Sequence, residues 1–229
     1  MIEHDEVATS IQNAYNASNI QSLKGLEPVF FRPGMYIGST DAKGVQHALT
    51  EIIDNSVDEH NGGFCNKIIV ELYEDNSVSV TDNGRGIPTD IHEEEGISAA
   101  TLVVTSLHAG GKFGGEGSSY HRTGGLHGVG ASVVNALSDW FEMTIWRDGL
   151  VHFQRFSLVN DENGIIPGNP EDILKVIGSC DKDKTGTKIK FKLNAEKFSS
   201  QFYDEDSGKS EIIFYEFDKD MIAAKLQSL

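Results

Sequence analysis

The sequence has no long apolar run. No stretch of it approaches about 18 consecutive apolar residues, the length that marks a membrane-spanning helix. Residues 1–20 are polar and lack the apolar segment of a secretory signal peptide. We therefore expect a cytoplasmic protein that has no membrane anchor.

Cysteine and positive charge are also scarce. The two cysteines, Cys65 and Cys180, have neither metal-binding spacing nor a disulfide framework, which favours two reduced thiols. Lys and Arg total 19 against 35 Asp and Glu, which gives a net charge of −16. A surface this acidic repels a phosphate backbone, so the chain alone is not expected to bind a DNA duplex. Any phosphate must be held locally by backbone N–H groups, a metal or a few placed cations.

The 229 residues suffice for one large domain or two small ones. Residues 1–22 are predicted to form a polar arm, and 25–40 a loop or a connector of short elements. Downstream, helical patterns at 44–60 and 97–108 alternate with strands, the first two at 67–73 and 77–82. Because several strands are joined as hairpins, the order favours an α/β fold: a two-layer α/β sandwich with a mixed β-sheet and helices on one face.

The helix at 44–60 carries acidic and amide side chains on one face and aliphatic side chains on the other. Glu51 and Asn55 are one turn apart and point into the same volume. This face is either an ordinary solvated surface or a reactive one. No Lys or Arg lies between Lys43 and Lys67 to pair with the carboxylates, which favours a metal or a titrating role. Glu51 could act as a general base and Asn55 as an oxygen ligand for Mg²⁺.

Asp82 ends an alternating strand and opens the turn DNGRGIP. The turn is either a simple exposed loop or a recognition element. In the second case Asp82 accepts a hydrogen bond from an exocyclic amine, and an analogue without that donor leaves a buried charge unpaired. Arg85, between two glycines, could reach back to Glu59.

The segment 110–130 holds 9 of the 24 glycines and leads into a helical pattern. It lacks the Walker A spacing, and no strand leads into it as a dinucleotide-binding unit requires. A flexible linker is one interpretation. The other is a mobile lid whose backbone N–H groups hold an anion at the start of a helix. The spacing of His108, His121 and His127 does not indicate a zinc site.

Together these three segments resemble the ATP-binding signature of the gyrase, chaperone, histidine-kinase and mismatch-repair ATPases, the Bergerat or GHKL fold. The segments RPGMYIG, HAGGKF and GGLHGVGASVVNALS narrow the resemblance to the ATPase domain of the B subunits of bacterial type II topoisomerases. It covers roughly residues 15–229, with 23–229 as the GHKL ATP-binding domain. Within this family GLEPV (25–29), IDNSVDE (53–59) and VIGSCDKDKTGT (176–187) favour the B subunits of topoisomerase IV, with those of DNA gyrase as the alternative.

The resemblance implies specific roles. Glu51 is expected to be the catalytic base and Asn55 the Mg²⁺ ligand. Residues expected to bind ATP are Tyr15, Asn55, Asp82, Arg85, Gly86, Ile87, Pro88, Lys112, Tyr120, Gly125, Leu126, His127, Gly128, Val129, Gly130, Ala131 and Thr187. Residues expected to line an inhibitor pocket are Ile52, Glu59, Val80, Arg147 and Ile189. Arg147 is expected to contact coumarin-type inhibitors, and Tyr15 to reach into a partner subunit's nucleotide site.

The resemblance also implies a function for the whole enzyme. ATP and Mg²⁺ drive dimerisation of two B subunits, which gates DNA strand passage (decatenation, relaxation and chromosome segregation) in an A2B2 complex on the bacterial chromosome. A lysine from a transducer domain, outside this chain, contacts the γ-phosphate, and the DNA-cleavage regions are also outside it. We therefore expect slow hydrolysis and no DNA transport by this chain alone. Phe30 and Phe31 depart from the family, which usually has basic residues before RPGMY.

Two alternatives remain open. The chain could be a non-catalytic interaction module in which the nucleotide is only a conformational ligand. It could also be a histidine kinase or chaperone ATPase of the same superfamily, although RPGMYIG and HAGGKF disfavour this.

Overall fold

The computed structural model describes residues 23–107, 130–162, 164–204 and 209–227. The described helices are α1 (Glu27–Phe31), α2 (Gly34–Ile37), α3 (Ala42–Asn61), α4 (Ala99–Thr105), α5 (Gly130–Ala136) and α6 (Lys219–Gln227). The described strands are β1 (Ile68–Leu72), β2 (Val78–Asp82), β3 (Ser138–Arg147), β4 (Leu150–Asp161), β5 (Gly164–Pro170), β6 (Lys175–Ser179), β7 (Gly186–Leu193), β8 (Ser199–Asp204) and β9 (Lys209–Phe214).

Seven of these strands form one sheet in the order β1-β2-β7-β3-β4-β5, and β6 pairs with the first part of β4. Strands β8 and β9 form a separate hairpin. Within the described residues every pairing is antiparallel, so the expectation of a mixed sheet is wrong in this detail. Strands β2 and β3 do run in the same direction, but β7 lies between them and is antiparallel to both.

Helix α3 is the longest described helix and forms one wall of the site. Asp41 caps it, because Oδ1 accepts the backbone N–H groups of Lys43 at 2.9 Å and Gly44 at 3.2 Å. Its buried side includes Leu49 and Ile53, which belong to the hydrophobic core. The capping carboxylate thus sets where the helix begins, and the amphipathic spacing sets which face packs on the sheet.

The core lies between the sheet and the helices. Phe141, Phe156 and Phe191 are fully buried on β3, β4 and β7. The ring of Phe141 lies edge-on to Phe156, with centroids 6.0 Å apart, and stacked on Phe191 at 6.4 Å. Alternate residues of β7 such as Lys188 and Lys190 are half-buried and belong to the other side of the sheet. The expected two-layer α/β sandwich is therefore confirmed.

The connector at 25–40 consists of the short helices α1 and α2, as one of the two expectations had it. The C-terminal region contains the β8–β9 hairpin before α6. Strands β5 and β6 were not predicted. Among the described helices none combines the length and the hydropathy needed to cross a lipid bilayer.

Candidate functional site

A cavity of about 400 Å³ lies between α3, α4, the start of α5 and the helix-facing side of the sheet. Its walls combine apolar side chains with a few charged groups, as is usual for small-molecule sites. It is bordered by Ile52, Asn55, Ser56, Asp58, Glu59, Val80, Asp82, Arg85, Gly86, Ile87, Pro88, Val103, Val104, Gly130, Ala131, Arg147, Thr187 and Ile189.

Asp82 lies at the end of β2, where the carboxylate meets three donors. Its Oδ1 accepts the backbone N–H groups of Gly84 at 2.9 Å and Thr187 at 3.3 Å. Its Oδ2 accepts the hydroxyl of Ser56 at 3.0 Å. Burial raises the pKa of this carboxyl above its usual value, and the three hydrogen bonds oppose that rise. The three hydrogen bonds therefore fix the orientation of the Asp82 carboxylate, while its partial burial disfavours the ionised form.

The expected pair between Arg85 and Glu59 is present. The Glu59 carboxylate accepts Nη2 of Arg85 at 2.8 Å, Nε at 3.1 Å and the Arg85 backbone N–H at 3.0 Å. The Arg85 guanidinium lies 3.8 Å from the centroid of the Phe64 ring. These contacts hold the arginine in a planar, oriented arrangement at the rim of the cavity.

The turn after β2 is held against β3 and β7. Arg147 Nη1 donates to the carbonyls of Arg85 at 3.3 Å and Gly86 at 2.8 Å. The Ile87 N–H donates to the Thr187 hydroxyl at 3.4 Å. Gly86 has a φ of +75°, and an added Cβ would lie 2.9 Å from the Trp146 carbonyl oxygen, so a larger residue does not fit here.

His47 links Glu51 to the backbone carbonyl of Ile37 through two contacts. His47 Nδ1 lies 2.9 Å from the Ile37 carbonyl oxygen, and Nε2 lies 3.1 Å from Glu51 Oε1. A carbonyl only accepts, so Nδ1 donates to Ile37, and Nε2 faces the Glu51 carboxylate. Glu51 also lies directly against Gly130, where any added Cβ would overlap its carboxylate.

The other acidic residues of α3 have different surroundings. Asp54 forms an ion pair with Lys225 of α6 at 3.0 Å, and Glu59 pairs with Arg85. The pair of Glu59 was expected, but that of Asp54 was not, because Lys225 lies in a distant part of the chain. Asp58, expected on the polar face, is only 4% exposed and borders the cavity.

Asn55 is an exposed residue that borders the cavity one turn after Glu51. In the described part of the chain no group of three or more His, Cys, Asp or Glu side chains is placed to hold a metal. Mg²⁺ bound with a phosphate ligand needs only one or two protein oxygens. The side-chain oxygen of Asn55 therefore fits Mg²⁺ as part of a nucleotide complex rather than as a separate metal centre.

The cavity brings together most of the residues expected from the sequence. Those that border it are Ile52, Asn55, Glu59, Val80, Asp82, Arg85, Gly86, Ile87, Pro88, Gly130, Ala131, Arg147, Thr187 and Ile189. Glu51 does not border it but adjoins Gly130, which does. Outside the described residues lie Tyr15, Lys112, Tyr120, Gly125, Leu126, His127, Gly128 and Val129, whose roles remain predictions.

His47 and Ser56 were missed. Ser56 had a signal in the sequence: at 100° per residue it falls on the aliphatic arc of α3, where a hydroxyl requires a partner. His47 lies one turn before Glu51, and that spacing could have suggested a pair.

The sequence model of the family described as "Histidine kinase-, DNA gyrase B-, and HSP90-like ATPase" matches residues 40–197. The DNA gyrase B protein of Halalkalibacterium halodurans is 53% identical over 191 residues, covering 83% of this chain and 28% of that protein. The DNA gyrase B protein of Thermotoga maritima is 52% identical over 192 residues, covering 84% and 28%.

A solved structure agrees with these relatives. The chain is similar to the 43K ATPase domain of Thermus thermophilus gyrase B, crystallised with an aminocoumarin, with a TM-score of 0.63 and 35% identity. The match covers 90% of this chain and 55% of the solved one. The chain spans about a quarter of the length of the two gyrase B proteins above. By fold, site and sequence the chain belongs to the family of histidine kinase-, DNA gyrase B- and HSP90-like ATPases, as a homologue of the ATPase domain of type II topoisomerase B subunits.

Proposed function

We propose that this chain is the ATP-binding and ATP-hydrolysing module of a DNA gyrase B protein. The observation that carries the proposal is the half-buried Asp82 carboxylate at the edge of the cavity. It is fixed by Gly84, Ser56 and Thr187, and it is an acceptor suited to the amino group of adenine. Residues 1–22 are proposed as an arm, and 23–229 as the nucleotide-binding domain.

The base is held at the Asp82 end of the cavity. Val80, Ile87 and Ile189 supply apolar contact. Thr187, whose backbone N–H donates to Asp82, is proposed to assist it also through a water. Arg85, oriented by Glu59 and Phe64, covers the base from the rim. The same surface, with Arg147, receives ATP-competitive inhibitors, and the aminocoumarin complex of the Thermus thermophilus ATPase domain supports this assignment.

The triphosphate extends along α3 toward Glu51. Asn55 would hold Mg²⁺, which neutralises charge on the phosphates when bound. Glu51 accepts a proton from the attacking water, and His47, tied to the Ile37 carbonyl, orients the Glu51 carboxylate. Lys112 and residues 125–131 are proposed to close over the phosphates.

Gyrase is favoured over topoisomerase IV, the first expectation from the sequence. The relatives compared above are gyrase B proteins at 52–53% identity, and the solved structure is also of gyrase B. The whole enzyme is then proposed to contain two B and two A subunits in the bacterial cytoplasm. ATP-driven dimerisation of the B subunits gates DNA passage, and this chain by itself hydrolyses ATP slowly.

A Glu51→Ala variant tests the catalytic assignment. We expect binding of a non-hydrolysable ATP analogue to remain, because Glu51 lies outside the base pocket, and turnover by the full-length protein to be lost. Calorimetric titration and a phosphate-release assay measure the two properties. If turnover survives, Glu51 is not the base. Binding without turnover in the unaltered full-length protein would instead support a non-catalytic nucleotide-controlled module.

The choice of enzyme is tested with the full-length protein and its A partner. We expect ATP-dependent negative supercoiling of a relaxed plasmid, measured by gel electrophoresis. Decatenation and relaxation without supercoiling would contradict the gyrase assignment and restore topoisomerase IV. Transfer of phosphate to a histidine would contradict both.

A further inference from the structure

Ser56 places a hydroxyl group beside the carboxylate that is proposed to read the base. The residue is only 3% exposed, in the middle of α3, and it borders the cavity. Serines within helices often donate to a carbonyl of their own helix. Ser56 instead donates across the cavity wall to Oδ2 of Asp82, at 3.0 Å.

The hydrogen bonds of Asp82 leave little freedom. An ionised carboxylate has about four acceptor positions. Two on Oδ1 are used by backbone N–H groups of Gly84 and Thr187, and one on Oδ2 is used by Ser56. Within the described residues, one position on Oδ2 remains for a ligand.

The same bond fixes what Ser56 itself can do. A hydroxyl has a single hydrogen, and an ionised carboxylate can only accept it. The Ser56 oxygen is therefore available to a ligand only as an acceptor. Asp82 Oδ2 and Ser56 Oγ together present two neighbouring acceptors to the cavity, which match the amino group of a 6-aminopurine. A 6-oxopurine would direct the lone pairs of its oxygen against them.

We propose that Ser56 is a specificity-determining residue that fixes the hydrogen-bond polarity of this end of the cavity and selects 6-amino over 6-oxo purine nucleotides. This inference rests on the proposed function, since it concerns the base of the bound nucleotide. Ser56 acts partly through Asp82, whose ionised form it stabilises, and partly through its own oxygen.

None of the charged side chains described around Asp82 donates a hydrogen bond to its carboxylate. On α3, Glu59 opposes ionisation of Asp82, and Asp58 borders the same cavity. Arg85 is bonded to Glu59, while Arg147 of β3 is bonded to the carbonyls of Arg85 and Gly86. Among the described side chains, Ser56 is the one that donates a hydrogen bond to Asp82.

The test compares the affinities of this chain for the β,γ-imido analogues of ATP and inosine triphosphate. Loss of one hydrogen bond changes affinity by about two- to tenfold. For Ser56→Ala we expect the preference for the adenine nucleotide to fall by about five- to tenfold. The variant also lacks the Ser56 hydrogen bond that lowers the pKa of Asp82. We therefore expect the fall in adenine-nucleotide affinity on acidification to begin at a higher pH than in the unaltered chain. Ser56→Thr, which keeps the hydroxyl, should restore both properties.

Ser79→Ala provides a matched control. Ser79 is also buried on β2 and donates to a carboxylate, Glu71 Oε2 at 3.1 Å, but does not border the cavity. We expect its preference and its pH profile to equal those of the unaltered chain. If Ser56→Ala weakens both nucleotides in equal proportion and leaves the pH profile unchanged, Ser56 is merely structural and the inference fails. If the unaltered chain binds neither analogue, the proposed function itself fails.

Discussion

At the scale of single residues, Asp82 shows how the fold sets the chemistry of a side chain. Burial is the largest influence on its pKa and raises it, because a charged group loses its hydration. The hydrogen bonds from Gly84, Ser56 and Thr187 act in the opposite direction. The folded protein therefore binds a proton at Asp82 more tightly than the unfolded chain does.

This raised pKa predicts opposite pH dependences for folding and binding. The contribution of Asp82 to stability is greatest below its unfolded pKa and is lost as the pH rises through the folded pKa. A nucleotide that donates to the carboxylate needs the ionised form, so its affinity falls as the pH drops through the folded pKa, by up to about tenfold per pH unit. Calorimetry in two buffers of different ionisation enthalpy should detect proton release on binding in this acid range.

Asp82→Asn is the control for the pH experiment. We expect its affinity to be about ten- to a hundredfold lower, because a charged acceptor is lost, and to lack the acid-dependent step. An unchanged pH profile in this variant would contradict the assignment to Asp82.

Some residue contacts were predictable and others were not. The Arg85–Glu59 pair follows from a cation between two glycines and an acid without a local cation on the preceding helix. The Asp54–Lys225 pair does not, because 171 positions separate the two residues and only the docking of α6 on α3 brings them together. Sequence patterns report local periodicity, whereas these contacts depend on tertiary packing.

At the scale of elements, α4 is attached to the sheet by a buried chain of hydrogen bonds. Thr101 Oγ1 lies 2.7 Å from Ser98 Oγ and donates to Gln154 Oε1 of β4 at 2.7 Å. Gln154 Nε2 then donates to the Asp172 carbonyl at 2.8 Å. Helix α4 supplies Val103 and Val104 to the cavity, so this attachment also positions one wall of the site.

Removing the middle of this chain should destabilise the protein. For Gln154→Leu we expect the free energy of unfolding to fall by about 1–3 kcal/mol, because buried polar groups lose their partner. Urea denaturation measures this change. Thr101→Val combined with Gln154→Leu should cost less than the sum of the two single changes. Gln201→Leu, an exposed change on β8, should alter stability by less than about 0.5 kcal/mol. Additive losses would mean that Thr101 and Gln154 are not coupled.

The unpredicted strands share a physical reason. Strand β6 is exposed along its whole length and therefore lacks the alternation that marks a half-buried strand. Strand β5 contains two prolines and two glycines, which predict a turn. By contrast, β7 alternates lysine with buried apolar residues, which is the sequence pattern of a half-buried strand.

At the scale of the whole molecule, the sequence identified the family better than the particular enzyme. The three motifs converge on one cavity because nucleotide chemistry requires those residue types together. The segments that favoured topoisomerase IV lie partly elsewhere: GLEPV reaches into α1, and VIGSCDKDKTGT includes the exposed β6. Helix α1 and strand β6 contribute no residue to the border of the cavity, so their sequences are weak markers of the reaction.

The insertion of β7 between β2 and β3 also has a consequence for biosynthesis. Thr187 and Asp82, which meet in the site, are 105 positions apart. A nascent chain emerging from the ribosome has α3 and β2 long before it has β7, and until then the two same-direction strands have no neighbour to join them. The pocket is therefore complete only when β7, which ends at Leu193, can pair with β2 and β3. A nucleotide can stabilise only those nascent chains whose translation has passed that point.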